Sequence, residues 1–340
     1  MRMKGIWIAA ALAAAFVSIG RAAPRAQDAA LPAPGFHHLH LNSTNPENAA
    51  AWYAKTFPVT SQSTWGGMTA LKSPNNVLIL LTRVEQPPAT QPQTAFWHFG
   101  WHVLKERETM ARLRDQGVTL LPLYTGDPDR PTVNINSDTY PGTGGLLGLT
   151  RPQLEDAKKN GVKPAGGAGF AYIRGPDDAL IEVQGDMPAE RFNHVHMYHE
   201  HPFCAQLWYQ KHLNVAPPQG RRGAAPAEPR TEANCRVPRT PDKTFPALEL
   251  NGMYRAPQIP LVFGDVSMGG YMSNADQPLV STRGHLADHV GLSVANLDAW
   301  AAKLRGEGVT FLDQPHKLGD TRALMIEGPS KEAIELVEVK

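Results

Sequence analysis

The sequence predicts an α+β fold made of four strand-and-helix modules arranged as two duplicated halves, and three correspondences predict it. Phe36-His37-His38-Leu39-His40-Leu41 is matched by Phe192-Asn193-His194-Val195-His196-Met197. Both are followed at the same distance by a Trp-Tyr-x-Lys run, with Trp52, Tyr53 and Lys55 in the first copy and Trp208, Tyr209 and Lys211 in the second. The stretch from His289 to Leu304, with Gly308 and Val309, has the spacing of His98 to Leu113 with Gly117 and Val118. Ile326-x-Gly328-Pro329 ahead of Ile334-Glu335 repeats Ile173-x-Gly175-Pro176 ahead of Ile181-Glu182. Matches that keep one order mark an internal duplication, which decides the architecture before any single element does.

In chain order, Phe36 to Leu41 alternates apolar residues with His38 and His40, so a strand puts both histidines on one face. A helix follows: Asn45 is a good N-cap, Pro46 suits the first helical position, and Ala49, Trp52, Tyr53 and Phe57 fall on one stripe. Asn76 to Leu81 is an apolar strand behind the turn-prone Ser73-Pro74-Asn75, which makes the first module βαβββ or close to it. The second module opens at Phe96 to His102, where His98, Gly100 and His102 share a face, and its helix from Glu106 to Gln116 stops at Gly117. Residues 123–169 break the rhythm with Gly- and Pro-rich turns around one short helical pattern, Pro152 to Asn160, and read as an inserted loop of the kind that carries binding residues. The module closes on Phe170 to Pro176, a turn, and Leu180 to Gln184. From Arg191 the cycle restarts, with its own insertion at about 216–284, a Pro- and Arg-rich stretch holding Arg221, Arg222, Arg230, Arg236 and Arg239. The expected domains are 36–187 and 191–340.

The chain has 340 residues, 42% hydrophobic and 19% charged, enough for two cores at roughly 100–200 residues per domain. Lys plus Arg number 33 against 32 Asp plus Glu, and a net charge of +1 supplies no field for nucleic acid or an anionic membrane. The expected partner is a small-molecule substrate. At the start, Arg2 and Lys4 precede an uncharged run from Ile6 to Ile19, followed by Gly20, Ala22 and Ala23. That is a signal-peptide pattern over 1–23, with 24–35 as a tether, so export to the periplasm or beyond is expected, with no membrane attachment after cleavage. A lone membrane anchor is the competing reading. In an oxidising compartment Cys204 and Cys235 either pair or remain two thiols, and their spacing does not decide between these.

Each copy supplies two histidines at strand starts and one glutamate on its last strand: His38, His98 and Glu182, then His194, His289 and Glu335. Two neutral imidazoles and a carboxylate suffice for a divalent metal and leave positions open for water or substrate. Taken singly these are ordinary buried histidines; repeated in type and order they point to metal. His40, His102 and His196 share the same faces, as acid-base groups or as structural hydrogen-bonding residues. Trp52, Tyr53, Trp208 and Tyr209 sit at helical spacing and read as packing, while His199 and His201 flank a helix start and are expected to be exposed.

With these residues in view, the sequence resembles the vicinal oxygen chelate superfamily, which includes glyoxalase I, extradiol ring-cleaving dioxygenases and fosfomycin- and bleomycin-resistance proteins. The resemblance rests on His38-Leu39-His40 with Trp52-Tyr53, His98-Phe99-Gly100, Gly175-Pro176 with Ile181-Glu182, and their second-copy counterparts. It implies four βαβββ modules paired into two glyoxalase-like, cup-shaped mixed-sheet domains that hold a divalent metal, Fe, Mn or Zn. By position it makes His38 and His194 first-strand ligands, His98 and His289 the ligands opening each partner module, and Glu182 and Glu335 the closing carboxylates. Glyoxalases of this type add a fourth ligand from the fourth strand of the first module. The candidate strands here, Val77 to Leu81 and Leu261 to Phe263, are apolar, which together with export away from glutathione disfavours glyoxalase I chemistry. Extradiol dioxygenases place a tyrosine and a histidine ahead of the ligand glutamate. Tyr172 fits the tyrosine position in the first copy, and His316 fits the histidine position in the second, where Met325 replaces the tyrosine. The implied activity is that of a metal-dependent enzyme, dioxygenase-like or lyase/isomerase-like, on a small metal-chelating oxygenated substrate. The alternative is a non-catalytic small-molecule-binding protein of the bleomycin-resistance type.

Overall fold

The duplicated sequence folds as four modules in chain order. The first is β1 Gly35–Ser43, α1 Pro46–Thr56, β2 Ser61–Trp65, β3 Met68–Lys72 and β4 Leu78–Arg83. The second is β5 Phe96–His102, α2 Glu106–Asp115, β6 Leu120–Asp127, β7 Arg130–Asn136, β8 Phe170–Arg174 and β9 Leu180–Gln184. The third is β10 Arg191–His199, α3 Pro202–Leu213, β11 Pro246–Leu248, β12 Gln258–Ile259, β13 Val262–Phe263, β14 Val266–Ser267 and β15 Gly270–Met272. The fourth is β16 Ala287–Val294, α4 Leu297–Gly306, β17 His316–Leu318, β18 Thr321–Glu327 and β19 Ala333–Glu338. The structure is a computed structural model and describes residues 31–127, 130–136, 159–160, 170–185, 187–217, 229–237, 246–248, 258–273 and 277–339. The signal segment, the helical pattern at 152–158, and Arg221, Arg222 and Arg239 lie outside the described residues.

Helix starts and stops follow local chemistry. The Asn45 side chain accepts from the Asn48 N–H, Pro46 occupies the first turn, and Ala49 and Tyr53 turn inward. In α4 the Asn296 side chain caps the Ala299 N–H in the same way. Helices α2 and α4 both end at a glycine with positive φ, Gly117 at +77° and Gly308 at +74°, the left-handed conformation that stops a helix most easily without a Cβ. No helix among the described residues is long and apolar enough to cross a membrane.

The strands form two sheets, of eight strands in the order β17-β18-β19-β16-β1-β4-β3-β2 and of eleven along β11-β6-β8-β9-β5-β10-β14-β13 with β7, β12 and β15 beside that path. The seam of the smaller sheet is the antiparallel pair β1 and β16, and that of the larger is β5 and β10. Each sheet therefore joins two modules: the first with the fourth, and the second with the third. The segments 36–187 and 191–340 each contribute one module to each sheet. Helix α1 links the two layers, since Phe57 stacks on Trp101 with centroids 4.1 Å apart and Tyr53 packs on Phe99. Trp101 and Tyr53 are fully buried, and truncating an aromatic of this kind to alanine costs about 3–5 kcal/mol.

Each seam carries two bulges. Between β1 and β16 the extra residues are His37 and Asp288; between β5 and β10 they are Asn193 and Trp97. A bulge re-aims a side chain that regular alternation would send to the other face. Two expectations are settled by the packing. Cys204 and Cys235 are disulfide-bonded, tying α3 to the segment 229–237. Neither His199 nor His201 is exposed: β10 continues to His199, whose ring is fully buried with Nδ1 2.7 Å from Ser330 Oγ, and His201 is half-buried.

Candidate metal centres

In the eleven-stranded sheet, β5 lies between β9 and β10, and Gly100 is in register with Glu182 on one side and His194 on the other. Tyr172 is opposite Glu182 one strand further out, and His196 is opposite His98. Alternation along the strands thus brings side chains from four strands to one face. Gly100 makes the row possible, because a Cβ there would stand 2.4 Å from His194 Cε1. His98 Nε2 is 2.9 Å and His194 Nε2 3.9 Å from Glu182 Oε2, and the Tyr172 hydroxyl donates to the same oxygen at 2.7 Å.

His98, Glu182 and His194 are all buried. Burial pushes the His194 imidazole down to about 3, more than the nearby Glu182 carboxylate can offset, so the ring is neutral at physiological pH. Neutral imidazole is the metal-binding form. Neither ring nitrogen of His194 has a hydrogen-bond partner, although both are buried. Such atoms are costly to leave unsatisfied, and a cation is the partner that a lone-pair nitrogen beside a carboxylate and a second imidazole accepts. The donor set therefore fits a divalent ion. A cavity of about 400 Å³ opens onto this group, lined by Glu182, His194 and His196 with His102, Asn193 and Tyr271. Within it His102 Nε2 and Asn193 Nδ2 both meet Gln184 Oε1, at 2.9 and 3.2 Å.

The eight-stranded sheet repeats the row. Gly291 is in register with His38 and Glu335, Met325 is opposite Glu335, and His40 is opposite His289. A Cβ on Gly291 would be 2.0 Å from His38 Cε1. His38 Nε2 and His289 Nε2 lie 3.5 and 3.8 Å from Glu335 Oε2, and His316 Nε2 is 3.7 Å from Oε1. The bulge residue Asp288 is 2.7 Å from His289 Nδ1 and pairs with Arg283. Burial, with Asp313 and Asp288 adding to it, pushes the Glu335 carboxyl up to about 8. His38 is held well below the ordinary imidazole range by burial and by His289.

All six proposed ligands thus lie in two compact groups, but grouped differently from the sequence expectation. His98 and Glu182 meet His194, and His289 and Glu335 meet His38, because the seams join the second module to the third and the fourth to the first. His38 is not brought to His98, nor His194 to His289. Tyr172 and His316 each reach the carboxylate that their spacing indicated. Sequence reasoning missed the bulge residues Trp97, Asp288, Asn193 and His37, which stand beside ligands and which no alternation pattern marks. A signal for the seams existed in link lengths. The short segment 185–190 joins β9 to β10 within one sheet, whereas the longer 84–95 and 273–286 cross between sheets.

No protein-family model and no curated protein matches this sequence. Among solved structures the chain is similar to glyoxalase I from Zea mays, with 13% identity and a TM-score of 0.53 over 90% of this chain and 92% of that one. It is also similar to a candidate dioxygenase from Bacillus subtilis, with 8% identity and a TM-score of 0.51 over 91% of this chain and 86% of that one. At such identities the likeness is one of fold, a glyoxalase-like pairing of modules.

Proposed function

We propose that this chain is an exported, metal-dependent enzyme of the vicinal oxygen chelate type. Its working centre is His98, His194 and Glu182, and its substrate is a small molecule that offers two adjacent oxygens. The observation that carries the reading is the convergence of two imidazoles and a carboxylate beside an open cavity, with the His194 ring neutral and lacking any hydrogen-bond partner. A donor set of two histidines and one carboxylate suits Fe, Mn or Zn. When bound, such an ion supplies a Lewis acid that stabilises negative charge on a substrate oxygen.

The remaining steps belong to the chain. Glu182 is held by the Tyr172 hydroxyl, which fixes its orientation and stands at the edge of the centre as a proton carrier for the substrate. His102 and Asn193 share Gln184 as a hydrogen-bonding partner and form the polar wall that orients a substrate. Trp97 packs on His98 and among Tyr172, Tyr198 and Tyr271, and Tyr271 gives the cavity an aromatic side chain. Export is supported by the signal-peptide pattern and suits the Cys204–Cys235 disulfide, since such bonds persist in oxidising compartments.

Metal analysis of the purified protein, followed by thermal unfolding with added Mn(II), tests the proposal. In a chain carrying His289→Ala, which disables the other centre, stoichiometric metal and a stabilisation of about 2.7 kcal/mol at a hundredfold excess over Kd are expected, with His194→Ala losing both. A metal-free protein whose unfolding ignores Mn, Fe and Zn would instead be a ligand-sequestering protein.

A further inference from the structure

Three ligands were expected at each centre, yet in the eleven-stranded sheet a third imidazole, a fourth possible donor, stands in the same group. His196 lies two residues beyond His194 on β10 and directly opposite His98 across the ladder. Its Nδ1 is 3.0 Å from His98 Nε2, and its ring stacks on His194 with centroids 4.2 Å apart. The ligand atoms of His98, Glu182, His194 and His196 all lie within 4.8 Å of one another. Four ligands that share one ion at about 2.0–2.3 Å each must come nearly this close. Two imidazole nitrogens at 3.0 Å share a single proton; two adjacent donors each about 2.1 Å from one ion are separated by the same amount, so a cation can replace that proton once the rings turn toward it. Gly269 keeps the space beside the ring clear, since a Cβ there would be 3.3 Å from His196 Cδ2. In the other sheet the counterpart His40 has a different engagement: its Nε2 is 2.8 Å from the hydroxyl of Thr82 on β4.

We propose that His196 is a fourth protein ligand, so that the centre in the eleven-stranded sheet is a three-histidine, one-carboxylate site. This rests on the reading that the centre holds a divalent ion. The fourth donor comes from the His-x-His run on the strand at the seam, and the apolar fourth strand of the module is not needed for it. The consequence concerns the substrate. A six-coordinate ion held by these four donors would keep two positions, which the two adjacent oxygens of a chelating substrate would fill. No position then remains for dioxygen beside the bound substrate, and monodentate ligands bind weakly by comparison.

The test uses the full chain carrying His289→Ala, which disables the other centre, loaded with Mn(II). X-ray absorption of this parent should count three imidazoles, and water-proton relaxation should report two exchangeable waters. His196→Ala should show two imidazoles and three waters, with a Kd for Mn(II) raised on the order of a hundredfold, one ligand's share of a typical site affinity. His196→Gln, of similar volume, should show the same loss of one imidazole with native near-UV circular dichroism, which separates ligand loss from misfolding. Two imidazoles in parent and variants alike, with unchanged affinity, would overturn the fourth ligand and leave the three-residue centre standing. Absence of Mn(II) from the parent would overturn both readings.

Discussion

In the eleven-stranded sheet the residue in register with the closing glutamate is Tyr172; in the eight-stranded sheet it is Met325. The two centres otherwise use the same ladder positions: histidine, glycine and glutamate across three strands, with a second pair of histidines one step along. They diverge where residues are added to the ladder. Beside the opening histidine stands Trp97 in one and Asp288 in the other, and beside the first-strand histidine stands Asn193 in one and His37 in the other. One centre thus faces aromatic rings and a hydrogen-bonded amide, while the other faces a carboxylate, an arginine and His316. Regular pairing preserves the ligands, and the bulges differentiate what surrounds them.

The largest effect is expected at the glycines. Gly100→Ala puts a methyl into the His194 ring and Gly291→Ala puts one into His38, so each should destabilise the chain by about 3 kcal/mol and remove metal from its own centre only. Denaturant unfolding with metal analysis checks this, and equal loss at both centres would show that they are not independent. The next contrast is the closing residue. Tyr172→Phe removes the 2.7 Å bond to Glu182 and should weaken metal binding there roughly tenfold, whereas Met325→Phe in the other sheet should change its centre little. A third contrast uses pH. Because the Glu335 carboxyl is pushed up to about 8, metal must displace a proton at pH 7, so affinity at that centre should rise up to roughly tenfold per unit from pH 6 to 8 and then level off. A flat profile measured in His98→Ala, where only this centre remains, would contradict it.

The smallest effect lies away from the centres, where Tyr209 and the Ser330 N–H donate to Glu332. Burial pushes this carboxyl up to about 7, so the folded chain holds a proton that the unfolded chain releases above about 4.5. Its contribution to stability is present below that pH and is lost as pH rises to 7. His199, pushed down to about 3 by burial, acts in the opposite sense, and its contribution is lost as pH falls below 6.5. Glu332→Gln should therefore gain on the wild type as pH rises from 4 to 8, read from paired unfolding curves. A gain in the other direction would show that Glu332 is ionised in the folded protein.

The modules, their helices and the six residues proposed as ligands were legible because a repeat, an N-cap and strand alternation are local. Asn45, Gly117 and the His38-x-His40 face needed no partner to be read. The pairing of modules was not legible in the same way, since β1, β5, β10 and β16 carry the same pattern and each satisfies either neighbour. Tertiary choice among equivalent strands decided which histidine meets which glutamate. Bulges escaped for a related reason: an extra residue is visible only against the partner strand, so Asp288 and Trp97 read as ordinary positions. His199 escaped because its burial comes from Ser330, far along the chain.

The regrouping of ligands across the halves is the central claim, and a double-mutant cycle on Mn(II) affinity tests it most directly. In a His289→Ala background, His98→Ala and His194→Ala should be strongly non-additive, since either alone dismantles the one remaining site, while His38→Ala should leave that site unchanged. Coupling between His98 and His38, with His194 indifferent, would contradict the account.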